Sequence, residues 1–315
     1  MDTIAQKVEA LKGEMIRDRR FFHSHPETGW FTFFTTAVIA DRMQRLGYEI
    51  KLGREVVKAE ARQGVGSKDA CEKARQRAEG LLNADQIKFL DAMEDGLTGL
   101  VAEIDTGRAG KTVAFRFDID GVDVTESMDA DHRPFKEGFR SDINGITRHA
   151  DGVTRINVGV LRAGEGRNVI APNGYLACET RGESTELNEF MKAKCMDIVE
   201  GVSKIYGVSY DVQVTGGTAG GDSDEATTQL YEDAAKASPF IDDDKIVREL
   251  NFGACEDFAH FMRSVQDAGG KSGYLMIGTT LAAGHHNGKF DFDEDSLLAG
   301  VDVYLRCAYK LNGKI

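Results

Sequence analysis

The sequence lacks the features that mark several common classes of protein. No stretch approaches the ~20 consecutive apolar residues that span a bilayer, and the first fifteen residues carry charges where a secretion signal needs an apolar run. The five cysteines include no CxxC pair, so the usual zinc and redox motifs are excluded. We therefore expect a soluble, cytoplasmic protein with reduced cysteines and no membrane partner.

Positive charge is also scarce. The 39 basic residues face 52 acidic ones and leave a formal charge of −13, which argues against a nucleic-acid partner because such binding depends on Lys and Arg. The longest basic cluster, from Arg17 to Arg20, is interrupted by Asp18. It predicts a solvated helix end.

An apolar share of 41% is ordinary for a folded chain, and 315 residues are enough for two domains. Helical spacing of apolar residues predicts a helix over the first twenty residues and another over 36–46. The range 67–95 reads as a helical pair with Ser67 as its N-cap. Strands are predicted at 48–52, and at 100–104 and 112–117 as a hairpin.

The pattern changes from Arg155 onward. Alternating apolar residues predict strands near 155–160, 175–180 and 209–214 around a helix over 188–206, which is part of an open-faced α+β sandwich. After the glycine-rich range 216–221, helices are predicted after Asp222 and near Glu256 and Asp295, with a buried strand at 274–278. One domain is therefore inserted within another.

Two groups of residues are candidates for metal chemistry. Gly284 to Asn287 form a loop that contains His285 and His286, and at most one of these adjacent imidazoles is expected to bind a metal. The alternative is an ordinary loop histidine. Asp118 and Asp120 end a predicted strand, where they could hold a cation, orient a histidine ligand, or cap the following turn.

For the remaining polar candidates, a structural role is favoured over a functional one. His23 and His25 precede Pro26 and predict structural hydrogen bonds. Arg181 ends an alternating strand and suits bidentate capture of a carboxylate, although a surface ion pair is the commoner role. Asn168 precedes Pro172, where turn chemistry is expected. The motifs HExxH and GxSxG and the P-loop are absent.

Six segments in order carry a family resemblance. They are FFHSHPETGW, AFRFDIDGVDVTES, DADHRPFKEGF, GRNVIAP followed by ETRGES, GACEDFAHFM, and GTTLAAGHHNGKFDFDED. Together they resemble the aminoacylase and carboxypeptidase-like zinc metallopeptidases over nearly the full chain. Within that family, HRPFKEGF and GHHNGKFDFDE are most similar to the aminobenzoyl-glutamate hydrolases.

The resemblance implies an α/β fold, with a zinc-peptidase-like catalytic domain at 1–142 and 219–315 and an inserted α+β lid and dimerisation domain at 143–218. It implies divalent metal, zinc or manganese, and hydrolysis of a small amide that bears a carboxylate, with release of glutamate. The partners it implies are a second copy of the chain or a second homologous subunit.

The resemblance also assigns roles to individual residues. His286 matches the C-terminal metal ligand, and Asp118 matches the aspartate at the end of the strand beside the metals. Asn168 and Arg181 match lid positions that contact substrate. Glu256 and Asp257 match the acidic start of a helix near the pocket.

The chain departs from the family pattern after Ser141. The family continues there with a His-Ala-Cys-Gly-His-Asp segment, a Glu-Glu pair and a further histidine, which supply the other metal ligands and the proton shuttle. Neither the His-Ala-Cys-Gly-His-Asp segment nor a Glu-Glu pair occurs in this sequence, so both domains are expected to be incomplete. A catalytic zinc needs about three protein ligands, so we predict weak metal binding and negligible amidase activity if these residues are the whole polypeptide. If a middle segment is omitted, the parent protein is expected to be an active hydrolase and these residues its outer parts.

Three functional hypotheses follow. The first is a metal-dependent amidohydrolase, whose activity would require more of the family's ligands than this chain has. The second is a non-catalytic descendant that binds a carboxylate or dimerises. The third is an incompletely folded remnant whose exposed sheet edges promote aggregation.

Overall fold

A computed structural model describes residues 2–122, 124, 126–137, 154–163, 173–182, 185–218, 220–250 and 256–312. The chain divides into two compact units. Unit one comprises Met1–Arg148, Gln229–Ile246 and Leu275–Ile315, and unit two comprises His149–Thr228 and Val247–Tyr274. The predicted domain boundaries at residues 142 and 219 stay a prediction.

Unit one is mainly helical. Its α-helices are α1 (Thr3–Ser24), α2 (Phe33–Arg45), α3 (Lys68–Leu81), α4 (Ala84–Ile87), α5 (Arg133–Lys136), most of α7 (Glu225–Lys236) and α9 (Ser296–Asn312). Two short strands, β1 (Glu49–Leu52) and β2 (Leu100–Glu103), pair antiparallel with Leu52 opposite Leu100. Short 3₁₀ turns connect several of these elements.

Two apolar clusters form the core of unit one. The larger joins α2, α3 and the turn around Leu90, with Phe33, Val38 and Met93 almost fully buried. The smaller joins α7 and α9 through Ala234, Val303 and Cys307. Helices α1 and α9 also pack against each other, so the two ends of the chain meet in this unit.

Unit two is an α+β arrangement. Strands β3 (Thr154–Ala163) and β4 (Gly174–Gly182) pair antiparallel with a bulge between Val158 and Val160, and helix α6 (Thr185–Tyr206) packs against both. The last helix of this unit, α8 (Phe258–Asp267), lies beside Gly221. Asp224 links separate chain segments of unit two. Its carboxylate accepts hydrogen bonds from the Ser272 N–H and the Gln266 side chain at 2.9 and 3.0 Å.

The helices are predicted well and three of the strands are not. The predicted strands at 112–117, 209–214 and 274–278 have no regular secondary structure, and β2 pairs with β1 instead of forming the expected hairpin with 112–117. An extended segment becomes a strand only when a neighbour accepts and donates its backbone hydrogen bonds. Alternating apolar residues predict which side of a segment is buried. Whether the segment forms a strand depends on a neighbouring segment with which its backbone can pair.

Within the described ranges, no helix combines the length and apolar character needed to cross a bilayer. Roughly half of the described residues are helical and few lie in strands. The observed architecture is therefore helix-rich, with two separate two-stranded sheets.

Candidate functional site

His286 lies at the tip of a hairpin-like loop in unit one. The loop closes where Leu281 bridges Phe292 and where the Ala282 N–H donates to the Asp291 carbonyl at 2.9 Å. At the tip, His286 adopts a left-handed backbone conformation with φ +58°, which is uncommon for a residue other than glycine. Its imidazole is exposed, and the neighbouring His285 packs its ring on Phe290 at 5.4 Å.

Asp118 and Asp120 point to different partners. The Asp118 carboxylate is exposed and receives a hydrogen bond from Arg116 at 2.8 Å. Asp120 accepts a hydrogen bond from the Gly29 N–H at 3.2 Å. Asp120 therefore bonds to a distant turn and not to the turn that follows it, and Asp118 takes part in an ion pair.

A partly buried charge network anchors the loop that carries His286. Asp291 receives a bidentate hydrogen bond from Arg133, at 2.5 and 2.8 Å, and a further one from Arg19 at 2.6 Å. Glu294 receives a bidentate bond from Arg20, at 3.0 and 2.8 Å. The two carboxylates are only 5% and 7% exposed. Three distant segments of the chain are thus held together by one group of charges.

This network corrects the expectation for the basic cluster in α1. The sequence predicts Arg19 at a solvated helix end, but its side chain is 10% exposed and its guanidinium lies 4.6 Å from the centre of the Phe292 ring. Arginine suits this setting because its planar fork matches a carboxylate and its face stacks on an aromatic ring. Two sequence features could have indicated this network: the acidic repeat in FDFDED and the adjacent pair Arg19 and Arg20.

Burial and pairing act in opposite directions on the two carboxylates. Burial raises the pKa of Asp291, but hydrogen bonds and charge from Arg133 and Arg19 outweigh it and hold that pKa below its ordinary value. Burial likewise raises the pKa of Glu294, and Arg20 with the other two arginines reverses the effect. Both groups are therefore stabilised as carboxylates.

A second polar cluster lies beside this network. Glu126 Oε1 is shared by the Nε2 atoms of His23 and His132, at 2.9 and 2.8 Å. Next to it, the Ser127 N–H donates to the Gly288 carbonyl at 2.6 Å. His25 uses Nδ1 toward the Phe21 carbonyl at 2.9 Å. The structural hydrogen bonds predicted for His23 and His25 are confirmed.

The other predicted site residues belong to unit two or lie outside the described residues. Glu256 and Asp257 directly precede α8, where their carbonyls accept from the N–H groups of Ala259 and His260. Arg181 lies in β4, paired in register with Arg155. Asn168 lies outside the described residues.

Neither unit by itself fits a complete metal centre. Within either unit alone, no three ligand atoms of described His, Cys, Asp or Glu side chains lie close enough to share one ion. A structural or catalytic zinc takes three or four such ligands. The donors present in unit one are therefore too few and too dispersed to hold the metal that the resemblance implies.

Comparison with known proteins identifies the relatives of the chain. No family model matches it. The chain is 29% identical to an A-subunit homolog of p-aminobenzoyl-glutamate hydrolase from Haemophilus influenzae, over 95% of this chain and 98% of the relative. It is 27% identical to the A-subunit of p-aminobenzoyl-glutamate hydrolase from Escherichia coli, over 98% of each. The chain is homologous to these hydrolase subunits.

Two further comparisons agree with this homology. An indole-3-acetyl-aspartic acid hydrolase of Enterobacter agglomerans is 26% identical over 96% of this chain. The crystal structure of an aminobenzoyl-glutamate utilization protein from Klebsiella pneumoniae matches the fold with a TM-score of 0.78, at 24% identity, over 97% of this chain and 98% of that one.

The same alignments measure what this chain lacks. The comparison with the Haemophilus protein extends over 428 positions, whereas this chain has 315 residues, so more than one hundred positions of the relative have no counterpart here. Because the alignment covers 95% of this chain and 98% of the relative, most of this difference is internal, as the family motifs absent after Ser141 predict.

Proposed function

We propose that this chain derives from metal-dependent amidohydrolases that cleave an amide formed by an acidic amino acid. The observation that carries the proposal is its similarity along nearly the full length to relatives named for p-aminobenzoyl-glutamate and indole-3-acetyl-aspartate. Both names describe an acyl group joined to glutamate or aspartate. The substrate class is therefore a small amide with a free carboxylate.

The finer features of the proposal extend the sequence predictions. The catalytic domain would comprise 1–142 and 219–315, with the lid at 143–218 contributing Asn168 and Arg181 to the substrate carboxylate. His286 would be a metal ligand, Asp118 would act beside the metals, and Glu256 and Asp257 would lie near the pocket. The metal would be zinc or manganese, the location the cytoplasm, and the assembly a homodimer or a pair with a homologous partner.

The amidase activity of this chain by itself is proposed to be negligible. The dispersed donor set of unit one supports this, because metal hydrolysis needs an ion that binds water and polarises the carbonyl. Zinc- or manganese-treated chain is expected to release no aminobenzoate from p-aminobenzoyl-glutamate, with the Escherichia coli relative as positive control. Turnover that disappears in His286→Ala would overturn this part of the proposal.

The second candidate is a non-catalytic protein that binds a carboxylate or dimerises through the lid. It is favoured by apolar side chains exposed on unit two, which include Leu161, Leu176, Ile198, Ile205 and Tyr206. Such side chains commonly mark an interface. This candidate requires a dimer in sedimentation and glutamate binding that persists in EDTA; a monomer without glutamate binding excludes it.

A further inference from the structure

Unit two contains two thiols on elements that pack against each other. Cys178 lies in β4 and Cys195 lies in α6, and helix α6 packs against β4. Neither thiol is in a disulfide, and the same holds for Cys71 and Cys307, the other cysteines that the structure describes. Both members of the pair lie within one compact unit.

The path of the chain between the two cysteines brings them level with each other. From Cys178 to the end of β4 at Gly182 is four residues, or ~13 Å at the rise of a strand. From the start of α6 at Thr185 to Cys195 is ten residues, or ~15 Å at the rise of a helix. Because α6 packs against the strand that precedes it, these nearly equal lengths place the two cysteines side by side.

The two thiols differ in their access to solvent. Met191, Cys195 and Val199 are half-buried and spaced four residues apart, so they share one face of α6. Cys178 is exposed. A reagent in solution therefore reaches Cys178 first, whereas Cys195 lies on the packed face of its helix.

The two thiols also act on each other electrostatically. Burial raises the pKa of the Cys195 thiol, and charge on Cys178 raises it further. A like charge has this effect on a pKa when it lies nearby. Two neighbouring thiolates are thus unfavourable, whereas a disulfide between the same sulfurs carries no charge.

We infer that Cys178 and Cys195 are a redox pair that forms a reversible disulfide between β4 and α6. The oxidant is a small-molecule disulfide of the glutathione type, which reacts by thiol–disulfide exchange. The inference is independent of the proposed function, because it uses no metal and no residue assigned to amide hydrolysis.

The exchange proceeds in two steps. The Cys178 thiolate attacks one sulfur of oxidised glutathione, whose S–S bond breaks, and one glutathione leaves and takes up a proton. The Cys195 thiolate then attacks the Cys178 sulfur, the mixed disulfide breaks, and the second glutathione leaves and takes up the other proton. The chain loses two electrons and two protons, and the oxidant gains them.

The test maps disulfides in the full chain. Reduced protein, freed of reductant, is incubated with oxidised glutathione, and its remaining thiols are alkylated in urea. Mass spectrometry of a non-reducing digest is expected to show the Cys178 and Cys195 peptides joined, with the mass of two hydrogen atoms lost, and dithiothreitol should separate them. Cys307 is the internal reference, because burial raises its pKa to about 11 and leaves little reactive thiolate.

Matched variants make the result specific. Cys195→Ser should trap glutathione on Cys178, with an adduct at least about tenfold more abundant than in the unmodified chain, because the second thiol is gone. Cys71→Ser is the control and should form the same link as the unmodified chain. Circular dichroism verifies that each variant folds. If Cys195→Ser does not fold, Cys178→Ser, at an exposed position, should still abolish the link.

Three outcomes would overturn the inference. One is a glutathione adduct that persists on Cys178 in the unmodified chain, since Cys195 would then be unable to reach it. Another is a link from either cysteine to Cys255, which lies outside the described residues. The third is a dimer joined through Cys178 on a non-reducing gel, because the partner thiol would then belong to a second copy.

Discussion

At the scale of single residues, Gly53 has the shortest contact for an added side chain among the glycines that the structure describes. It follows β1 with φ +58°, and a Cβ at this position would lie 1.8 Å from the Ala92 carbonyl oxygen. A side chain would therefore face both an unfavourable backbone conformation and a clash with backbone that has few ways to move. The close approach of two chain segments requires glycine here.

Gly53→Ala is expected to destabilise the chain by about 2–4 kcal/mol, from left-handed strain and from displacement of the opposing turn. Urea unfolding followed by circular dichroism measures the difference. Gly80→Ala is the control, because Gly80 lies inside α3 with open space around it. It should stabilise by about 0.5–1 kcal/mol; equal effects of the two substitutions would contradict the assignment.

Asp291 is one of the two buried carboxylates of the charge network, and it pairs with Arg19 and Arg133. Asp291→Asn removes the charge that Arg19 and Arg133 share while keeping the shape of the side chain. Loss of one partner in a buried network leaves uncompensated charge, so we expect a cost of about 3–5 kcal/mol in urea unfolding. Asp69→Asn, which breaks the exposed pair with Lys73, should cost at most about 0.5 kcal/mol.

At the scale of elements, α2 has an unusual N-terminal cap. Its N-cap residue Thr32 makes no side-chain capping bond. Glu27 takes that role from outside the helix, since its carboxylate accepts from the N–H groups of Phe34 and Thr35 at 3.0 and 2.8 Å. Burial raises the pKa of Glu27, and the two backbone N–H donors oppose that effect.

Glu27→Ala is expected to cost about 1–2 kcal/mol, because two buried helix N–H groups lose their acceptor. Glu27→Gln should lose less, since its amide oxygen can still accept one bond. Thermal unfolding of the two variants at pH 7 compares them. A Gln variant as unstable as the Ala variant would show that the charge, and not the acceptor, provides the stabilisation.

The sequence predicts an element correctly when contacts between residues close together in the chain stabilise it. Helix α3 and its Ser67 cap are predicted because the Ser67 hydroxyl accepts from the Ala70 N–H three residues on. The strand at 112–117 is not formed because its pairing depends on distant residues. The prediction for Arg19 is wrong for the same reason: its partners Asp291 and Glu294 are more than 270 positions away.

At the scale of the whole molecule, acid sensitivity should follow the charge network. Asp291 and Glu294 have folded-state pKa values below their ordinary values of 3.8 and 4.5. Their contribution is therefore complete above about pH 5 and is lost as the pH falls through the lowered values. Glu27 acts in the opposite direction, because a raised pKa favours folding at low pH.

The urea midpoint should stay nearly constant from pH 7 to about pH 5 and fall below about pH 4. In Asp291→Asn the fall of the urea midpoint in acid should be smaller, because one of the two carboxylates with a lowered pKa is gone. Midpoints measured at intervals between pH 7 and pH 3 give the comparison. Parallel curves for the two proteins would assign the acid sensitivity to other carboxylates.

The candidate site illustrates what a whole-chain pattern can establish. The order of six motifs is enough to predict the homology that the comparisons confirm, and His286 lies in a loop, as its flanking glycine predicts. The ion pair between Asp118 and Arg116 could not be predicted from the spacing of the aspartates. A carboxylate at this position can bind either an arginine or a metal ion. The roles of Asn168, Arg181, Glu256 and Asp257 stay predictions.

The charge network also constrains the order in which the protein can be made. Glu294 is translated more than 270 residues after Arg19 and Arg20. Domains generally fold as they emerge, but this network cannot form until that whole interval has been translated. The arginines of α1 lack these partners throughout the interval, so chaperone dependence during translation should exceed that of a protein whose ion pairs join neighbouring segments.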